Sequence, residues 1–305
     1  MDFSFAKLKL TLRLDDDCAD PYALFLSRKA FAIAFRQVVG CSNNCDDCRT
    51  AEDCPYHQTF AQTISTDPAA VQRFQKPPLP FVFDFPFVPP LPNRGVTLDA
   101  GLTLLGTAVN HLNLYLAALS RLFRLEKAGG DGGVTILRVG SVDYSGNQHP
   151  LRQPFGSQAA EVPLVLSLVG LTKMMVLPMG RITVFVDAPM RIVHDMKPLR
   201  TLSFSAVARA LMRRVSAVAY YYGDITGDVD FKWLARQSDG VVTESEKFRW
   251  TEWGRGVRGI TGEATYSGAL SDFHLFLVAG EILHVGKGAA FGMGRFHLVL
   301  PANGL

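Results

Sequence analysis

Hydrophobic and polar residues alternate without a break from Lys7 to Leu14: Leu8, Leu10, Leu12 and Leu14 fall on one side, Lys7, Lys9, Thr11 and Arg13 on the other. A period of two predicts a half-buried strand. After the turn-forming DDDCADP run, the Ala-, Leu- and Phe-rich stretch from Tyr22 to Val39 predicts a helix that ends near Gly40. Between Lys76 and Pro92, prolines interleave with Phe81, Phe83, Phe85 and Phe87, so this run is extended or an edge strand, because proline donates no ladder hydrogen bond. Val96 to Leu105 predicts a further strand. Ala108, Leu112, Tyr115, Leu119 and Leu122, flanked by Val109, Leu116 and Phe123, then recur at steps of three and four, the signature of an amphipathic helix. The AGGDGG run stops it, and Val134 to Tyr144 predicts a strand.

The order strand, helix, strand, strand, helix, strand is the split βαββαβ arrangement of ferredoxin-like and RNA-recognition-motif domains. Ser145 to Glu161 is polar and aperiodic, which suits a linker, and the order then repeats. Arg181 to Asp187 predicts a strand and Leu202 to Tyr222 a helix, with Arg209 and Arg213 one turn apart on a common face. Val229 to Gln237 and Val257 to Ser267 are expected as strands, Asp272 to Ala279 as a helix and Phe296 to Leu300 as the last strand. The expected class is α+β, two tandem ferredoxin-like domains. One spans residues 1–150 with a Cys-rich insertion at 41–60, the other residues 151–305.

Composition agrees with two packed cores: 305 residues, 48% of them hydrophobic, exceed what a single small domain needs and exclude a disordered chain. The formal net charge is only +3, so a polyanionic partner must be met by local patches rather than by an overall basic field. Asp2, Lys7, Lys9 and Arg13 are unlike the start of a secretory signal, and Lys173, Pro178 and Arg181 interrupt the most apolar stretch, Val162 to Val186. A cytoplasmic protein is expected. Four of the five cysteines crowd together as Cys41-x3-Cys45-x2-Cys48-x5-Cys54, too uneven for a disulfide framework. Four thiolates at this spacing suit a structural Zn²⁺, and a loop of free thiols is the alternative. The first two gaps also match an iron–sulfur triad, but the element order lacks the repeated strand–helix units of such enzymes.

Two segments suggest nucleic-acid chemistry. From Gly286 to Arg295 the chain reads GKGAAFGMGR, where Gly286, Gly288, Gly292 and Gly294 permit positive φ and can turn amides toward an anion, with Lys287 and Arg295 adding charged donors. Too little chain follows for the helix that a dinucleotide fingerprint requires. The stretch from Lys247 to Gly259 interleaves Lys247, Arg249, Arg255 and Arg258 with Phe248, Trp250 and Trp253. Aromatic faces stack bases and guanidinium groups clamp phosphates, although a twisted hairpin with a tryptophan in the core accounts for the same pattern.

Pro189-Met190-Arg191-Ile192, the helix opening Leu202-Ser203-Phe204 with Arg213 and Arg214, and above all HVGKGAAFGMGRF resemble the CRISPR-associated endoribonucleases of the RAMP superfamily. The Cys54-Pro55-Tyr56 corner and the segment from Pro80 to Gly106 are similar to one branch of that family. The resemblance implies cleavage of precursor CRISPR RNA within its repeats without a catalytic metal. A ribose 2′-hydroxyl attacks the adjacent phosphate and leaves a 2′,3′-cyclic phosphate and a 5′-hydroxyl. It also implies RNA contacts at the glycine loop and at Arg191, Arg213 and Arg214, with other CRISPR effector subunits as further partners.

Such a reaction needs a proton acceptor, cations for the phosphorane charge and enforced in-line geometry. Family members commonly carry a histidine in or near the first helix, and none lies between Tyr22 and Val39 here. His57, with Tyr56 beside it and Arg49 close in sequence, is the nearest candidate, while His111 on the amphipathic helix is expected to be structural. An arginine-driven site using Arg28, Arg36 or Arg49 is the alternative catalytic arrangement. A non-catalytic RNA-binding subunit of an effector complex is the competing function, and a metalloenzyme of small-molecule metabolism a third.

Overall fold

A computed structural model describes residues 1–299 apart from 16, 18–19, 26, 43–44, 46–47, 49–52, 69, 71–73, 75, 89–93, 123–133, 152–161, 179, 226–228 and 255. It divides into two compact units, Ser4–Leu166 and Met1–Phe3 with Ser167–Leu305.

The first unit contains β1 (Asp2–Leu14), α1 (Arg28–Val39), α2 (Pro55–Phe60), β2 (Phe81–Asp84), β3 (Thr97–Leu105), α3 (Leu112–Leu122), β4 (Val134–Val142) and β5 (Gln148–Pro150). Its antiparallel sheet runs β2-β3-β1-β4-β5. The first strand is flanked by the third and fourth, and the second lies outside the third, which is the ferredoxin-like order. Leu8, Leu10, Leu12 and Leu14 are buried, as their alternation requires. Leu8 pairs with Leu102 of β3 and Ser141 of β4, which places it mid-sheet.

An aromatic core joins helices to sheet. Phe31 of α1 meets Phe83 edge-on at 5.0 Å, Phe35 meets Tyr115 of α3 at 4.9 Å, and Phe83 stacks on Phe85 at 4.5 Å. All five rings are fully buried, and each such burial contributes on the order of 2 kcal/mol. β2 lies at the sheet edge, the position its neighbouring prolines permit. Gly40 closes α1 in the left-handed region at φ 71°.

Leading into the second unit come β6 (Leu166–Ser167) and α4 (Leu168–Met174). The rest follows as β7 (Arg181–Met190), β8 (Val193–His194), β9 (Lys197–Pro198), α5 (Phe204–Tyr222), β10 (Gly223–Asp224), α6 (Phe231–Asp239), β11 (Val242–Trp253), β12 (Val257–Ser267), α7 (His274–Leu283) and β13 (Phe296–Val299). The main sheet, β11-β12-β7-β13, repeats the ferredoxin-like order. Ile182, Val184, Val186, Ala188 and Met190 of β7 are buried together with Phe204, Val207, Leu211, Val215 and Val218 of α5. Ser203 caps α5 by accepting from the Ala206 amide at 3.2 Å. Gly280 lets α7 close on its neighbours, since a Cβ there would stand 2.5 Å from Leu211 Cδ2 and 2.6 Å from Phe296 Cζ.

One element departs from the expected order. Residues 229–237 hold the start of helix α6 rather than a strand, because Asp230 caps it by accepting from the Trp233 amide at 2.8 Å and Leu234 and Ser238 are buried one turn apart. The second strand of this unit is β11, whose edge position exposes both sides and removes the alternation that marks a buried strand. Part of the expected linker, 148–150, forms β5, and 152–161 lies outside the described residues. Among the described residues no helix is long and apolar enough to cross a membrane.

Candidate functional site

The glycine-rich segment connects α7 to β13 and packs against the end of β7. Its backbone is stitched there by Val285 N donating to Gly294 O (3.2 Å), Gly294 N to Pro189 O (3.1 Å) and Lys287 N to Arg191 O (3.0 Å). Gly286, Gly288, Gly292 and Gly294 have φ of 96°, 86°, 85° and 66°, so all four use the freedom expected of them. The amides of Phe291, Gly292 and Met293 also donate to carbonyls within the loop. The amides of Lys287 and Gly294 therefore hold the loop to the Pro189–Arg191 segment, and those of Phe291, Gly292 and Met293 donate within the loop rather than to an external anion. Ala289, Ala290, Phe291 and Met293 are buried, and the outward edge is the exposed pair Gly286 and Lys287 with half-buried Gly288.

Arg295 is committed to Asp187 of β7: its Nε lies 2.9 Å from both carboxylate oxygens and a terminal nitrogen 2.7 Å from one of them. His297 Nε2 approaches the same carboxylate at 3.5 Å. Burial pushes Asp187 up, but hydrogen bonds from His297 and Arg295 outweigh it and leave the carboxyl at about 2. The hydrogen bond to Asp187 raises His297 against the opposing effect of burial. Sequence reasoning missed Asp187 because a lone acid on a strand carries no motif. Of the other expected cations, Arg213 is exposed on α5, and Arg214, one residue on, donates from Nη2 to Leu283 O at 3.3 Å.

The basic-aromatic stretch is a β11–β12 hairpin, with Trp253 buried and paired opposite Val257. Lys247 pairs with Glu263 at 3.1 Å, and Arg249 Nε reaches Thr261 Oγ1 at 3.5 Å. Arg258 is exposed opposite Glu252, and Arg255 lies outside the described residues. Trp250 carries the Arg200 guanidinium 3.6 Å above its ring, a contact between residues distant in sequence and illegible there. The β8–β9 hairpin was also missed. Its turn residues Asp195 and Met196 have φ of 47° and 62°, and Met196 is 93% exposed beside His194 and Lys197. Non-glycine residues in this region are strained, a feature common where a segment meets a ligand.

In the first unit, α2 packs on α1 through Phe60 against Phe35 at 5.5 Å. This brings Tyr56 under the Arg36 guanidinium at 5.5 Å, while Arg36 Nε donates to Cys41 O at 3.2 Å. Burial raises the Tyr56 hydroxyl despite Arg36. His57 follows on the same six-residue helix and is half-buried. Gln58 holds His111 at 3.2 Å, and burial lowers the His111 imidazole, in keeping with a structural histidine. Arg28 is exposed at the start of α1, and Arg49 lies outside the described residues. Cys41, Cys45, Cys48 and Cys54 are half-buried, and burial raises Cys45, with Cys41, Cys54 and Cys48 adding to the effect. Among the described residues no group of three or more His, Cys, Asp or Glu is arranged to hold a metal ion, so the structure does not support the expected zinc site. Sequence spacing brings the thiols near one another without imposing the tetrahedral arrangement Zn²⁺ demands.

Two antiparallel βαββαβ units, the second bearing a glycine-rich connection before its last strand, define a RAMP-like architecture. Residues 3–163 match the family model "AF_1859_N: N-terminal domain", and residues 185–296 match that of the CRISPR-associated endoribonuclease Cas6. Residues 185–296 thus form a CRISPR-associated Cas6 family domain, and the model matched by residues 3–163 covers more than half of the chain. Among solved structures, a Cas6 product complex is 15% identical, with a TM-score of 0.57, over 97% of this chain and 100% of that one. Thermus thermophilus Cas6 is 16% identical, with a TM-score of 0.55, over 97% and 99%. A partial Cas6-RT-Cas1--Cas2 complex is 11% identical with a TM-score of 0.59 over 99% of this chain and 47% of the other. At these identities the likeness is one of fold. No match is found among curated proteins.

Proposed function

We propose that this chain cleaves precursor CRISPR RNA within its repeats, without a catalytic metal, and holds the product. The observation that carries the reading is the Cas6 match over residues 185–296, which takes in the glycine loop and reaches from β7 to β13. In the reaction, the 2′-hydroxyl oxygen attacks the adjacent phosphorus, and the bond to the 5′-oxygen of the next nucleotide breaks. The hydroxyl proton passes to a base, and the leaving oxygen takes one up.

His57 is the proposed base or acid, since an imidazole can both take up and give up a proton and its ring is half-buried rather than sealed. Arg36, held over Tyr56, supplies fixed positive charge in the same unit, with Arg28 and Arg49 as further cations. In the other unit, RNA contacts are proposed at Lys287 and the outer glycine-loop edge, at Arg191, Arg213 and Arg214, and along Arg249, Arg255 and Arg258. Arg295 serves by fixing the loop to Asp187.

The absence of a histidine from α1 supports a second reading, a subunit that binds RNA without cutting it, in company with other CRISPR effector subunits. One experiment separates the two. Labelled repeat RNA incubated with purified protein and EDTA is shortened in the first case and only retarded on a gel in the second. A 2′-deoxy substitution at the cut nucleotide abolishes the shortening.

A further inference from the structure

One cross-strand row of the second unit's main sheet runs from Lys247 of β11 through Glu263 of β12 and Phe185 of β7 to His297 of β13. Their neighbours along the strands, Val184, Val186, Ala264 and Phe296, are buried on the helix side, where a Cβ on Gly280 of α7 would meet the Phe296 ring and the Tyr266 hydroxyl donates to Leu202 O at 2.8 Å. Successive side chains alternate between faces, so the row lies on the opposite, open face. Phe185 stands there on an inner strand, with a strand on either side, and is 41% exposed. In the next row the same strands carry Thr183 and Thr265, whose hydroxyls meet at 2.8 Å, the polar residues such a wet face ordinarily holds.

Scattered exposed hydrocarbon is common on proteins, and this ring is marked by its setting rather than its exposure. Glu263 and His297 border it on both sides, with cross-strand Cβ atoms about 5 Å away. Lys247, Arg249 and Arg295 outnumber Glu263 and Asp187 around it, so the face suits an anionic chain. His297 also stands three residues past Gly294, about 10 Å at the rise of a strand, so an RNA strand at the outer edge of the glycine loop reaches the ring along β13. A nucleobase answers both properties: its face covers an aromatic ring, and the ribose-phosphate on each side of it carries the negative charge. A hydrocarbon side chain from a protein partner supplies the cover without the charge.

We propose that Phe185 is a stacking platform on the open sheet face for one unpaired nucleobase of the bound RNA, whichever base that is, since every base has a π face. The assignment rests on the RNA-processing reading above and adds a base contact to what that reading assigns to cations.

The test measures binding of the full chain to repeat RNA made uncleavable by a 2′-deoxy substitution at the cut nucleotide. Phe185→Leu, which keeps the bulk without the π face, binds about tenfold more weakly with an unchanged salt dependence, because no phosphate contact is lost. Phe185→Trp binds at least as tightly as wild type. An abasic scan then locates the partner. Removing one unpaired base costs the wild type about tenfold and costs Phe185→Leu nothing at that position, whereas every other abasic site affects the two proteins alike. Phe185→Ile, a better strand former, carries the same comparison if Phe185→Leu does not fold. Equal affinities of wild type and Phe185→Leu, or a loss in Phe185→Leu that no abasic site cancels, overturn the platform. Cleavage is scored separately on unmodified repeat RNA. A protein that cuts nothing yet shows the coupling leaves the platform standing and overturns the proposed reaction, and cleavage without the coupling overturns the platform alone.

Discussion

Gly294→Ala should unfold the second unit far more readily than Gly288→Ala, although both glycines sit in one loop with positive φ. At Gly294, φ is 66° and an added Cβ would overlap the Val285 carbonyl oxygen. That carbonyl belongs to rigid backbone, because Val285 N is bonded to Gly294 O and Gly294 N to Pro189 O. The left-handed conformation costs an L-residue about 1–2 kcal/mol and overpacking about 1–3 more. The sum, roughly 2–5 kcal/mol, lowers Tm by on the order of 5–15 °C for a unit of this size. At Gly288, φ is 86° and the Cβ would meet Met293 Cγ at 3.0 Å, the flexible part of a side chain that can give way. Only the backbone penalty remains, about 1–2 kcal/mol, or a few degrees. Calorimetry of both variants decides the matter. Equal shifts, or a Gly294→Ala protein as stable as wild type, would refute the view that this loop is stitched to β7 through its backbone.

His57→Ala is expected to slow single-turnover cleavage of repeat RNA by about 100-fold or more with binding unchanged, and an unaltered rate transfers the chemistry to the arginines. Asp187 titrates at about 2 in the fold, below its ordinary ~3.9, so the stability it contributes is complete above about pH 4 and is lost as pH falls toward 2. Near-neutral stability should drop by roughly 2 kcal/mol in Asp187→Asn, and the wild-type fall in Tm between about pH 4 and 2 should flatten in that variant; parallel profiles would contradict the Arg295 anchor. His297 is shifted upward, so its contribution is complete below its ordinary ~6.5 and is lost as pH rises through the folded value, a loss Asp187→Asn should also remove. Trp250→Ala, which removes the platform under Arg200, should weaken RNA binding by about tenfold, and unchanged affinity would make that stack purely structural.

What could be read from the sequence was whatever a local period or a backbone requirement writes into it. β1 was visible because its leucines face a core while its polar residues do not, and α3 because its apolar face repeats at helical spacing. The glycine loop announced itself because four positions require positive φ. β11 was hidden by its edge position, and α6 passed for a strand because its cap, Asp230, stands before only two turns of helix. Contacts made by tertiary folding left no signal: Asp187 with Arg295 spans 108 positions, and Arg200 meets Trp250 through space alone. The loop's orientation was equally illegible, since glycine spacing does not say whether amides turn outward to a ligand or inward to carbonyls.

The most direct test of the account is the chemistry of the new RNA ends, read by mass spectrometry after incubation of repeat RNA with purified protein in excess EDTA. The account predicts a 2′,3′-cyclic phosphate on the upstream fragment and a 5′-hydroxyl on the downstream one. Intact RNA, or fragments ending in a 3′-hydroxyl and a 5′-phosphate, would contradict it.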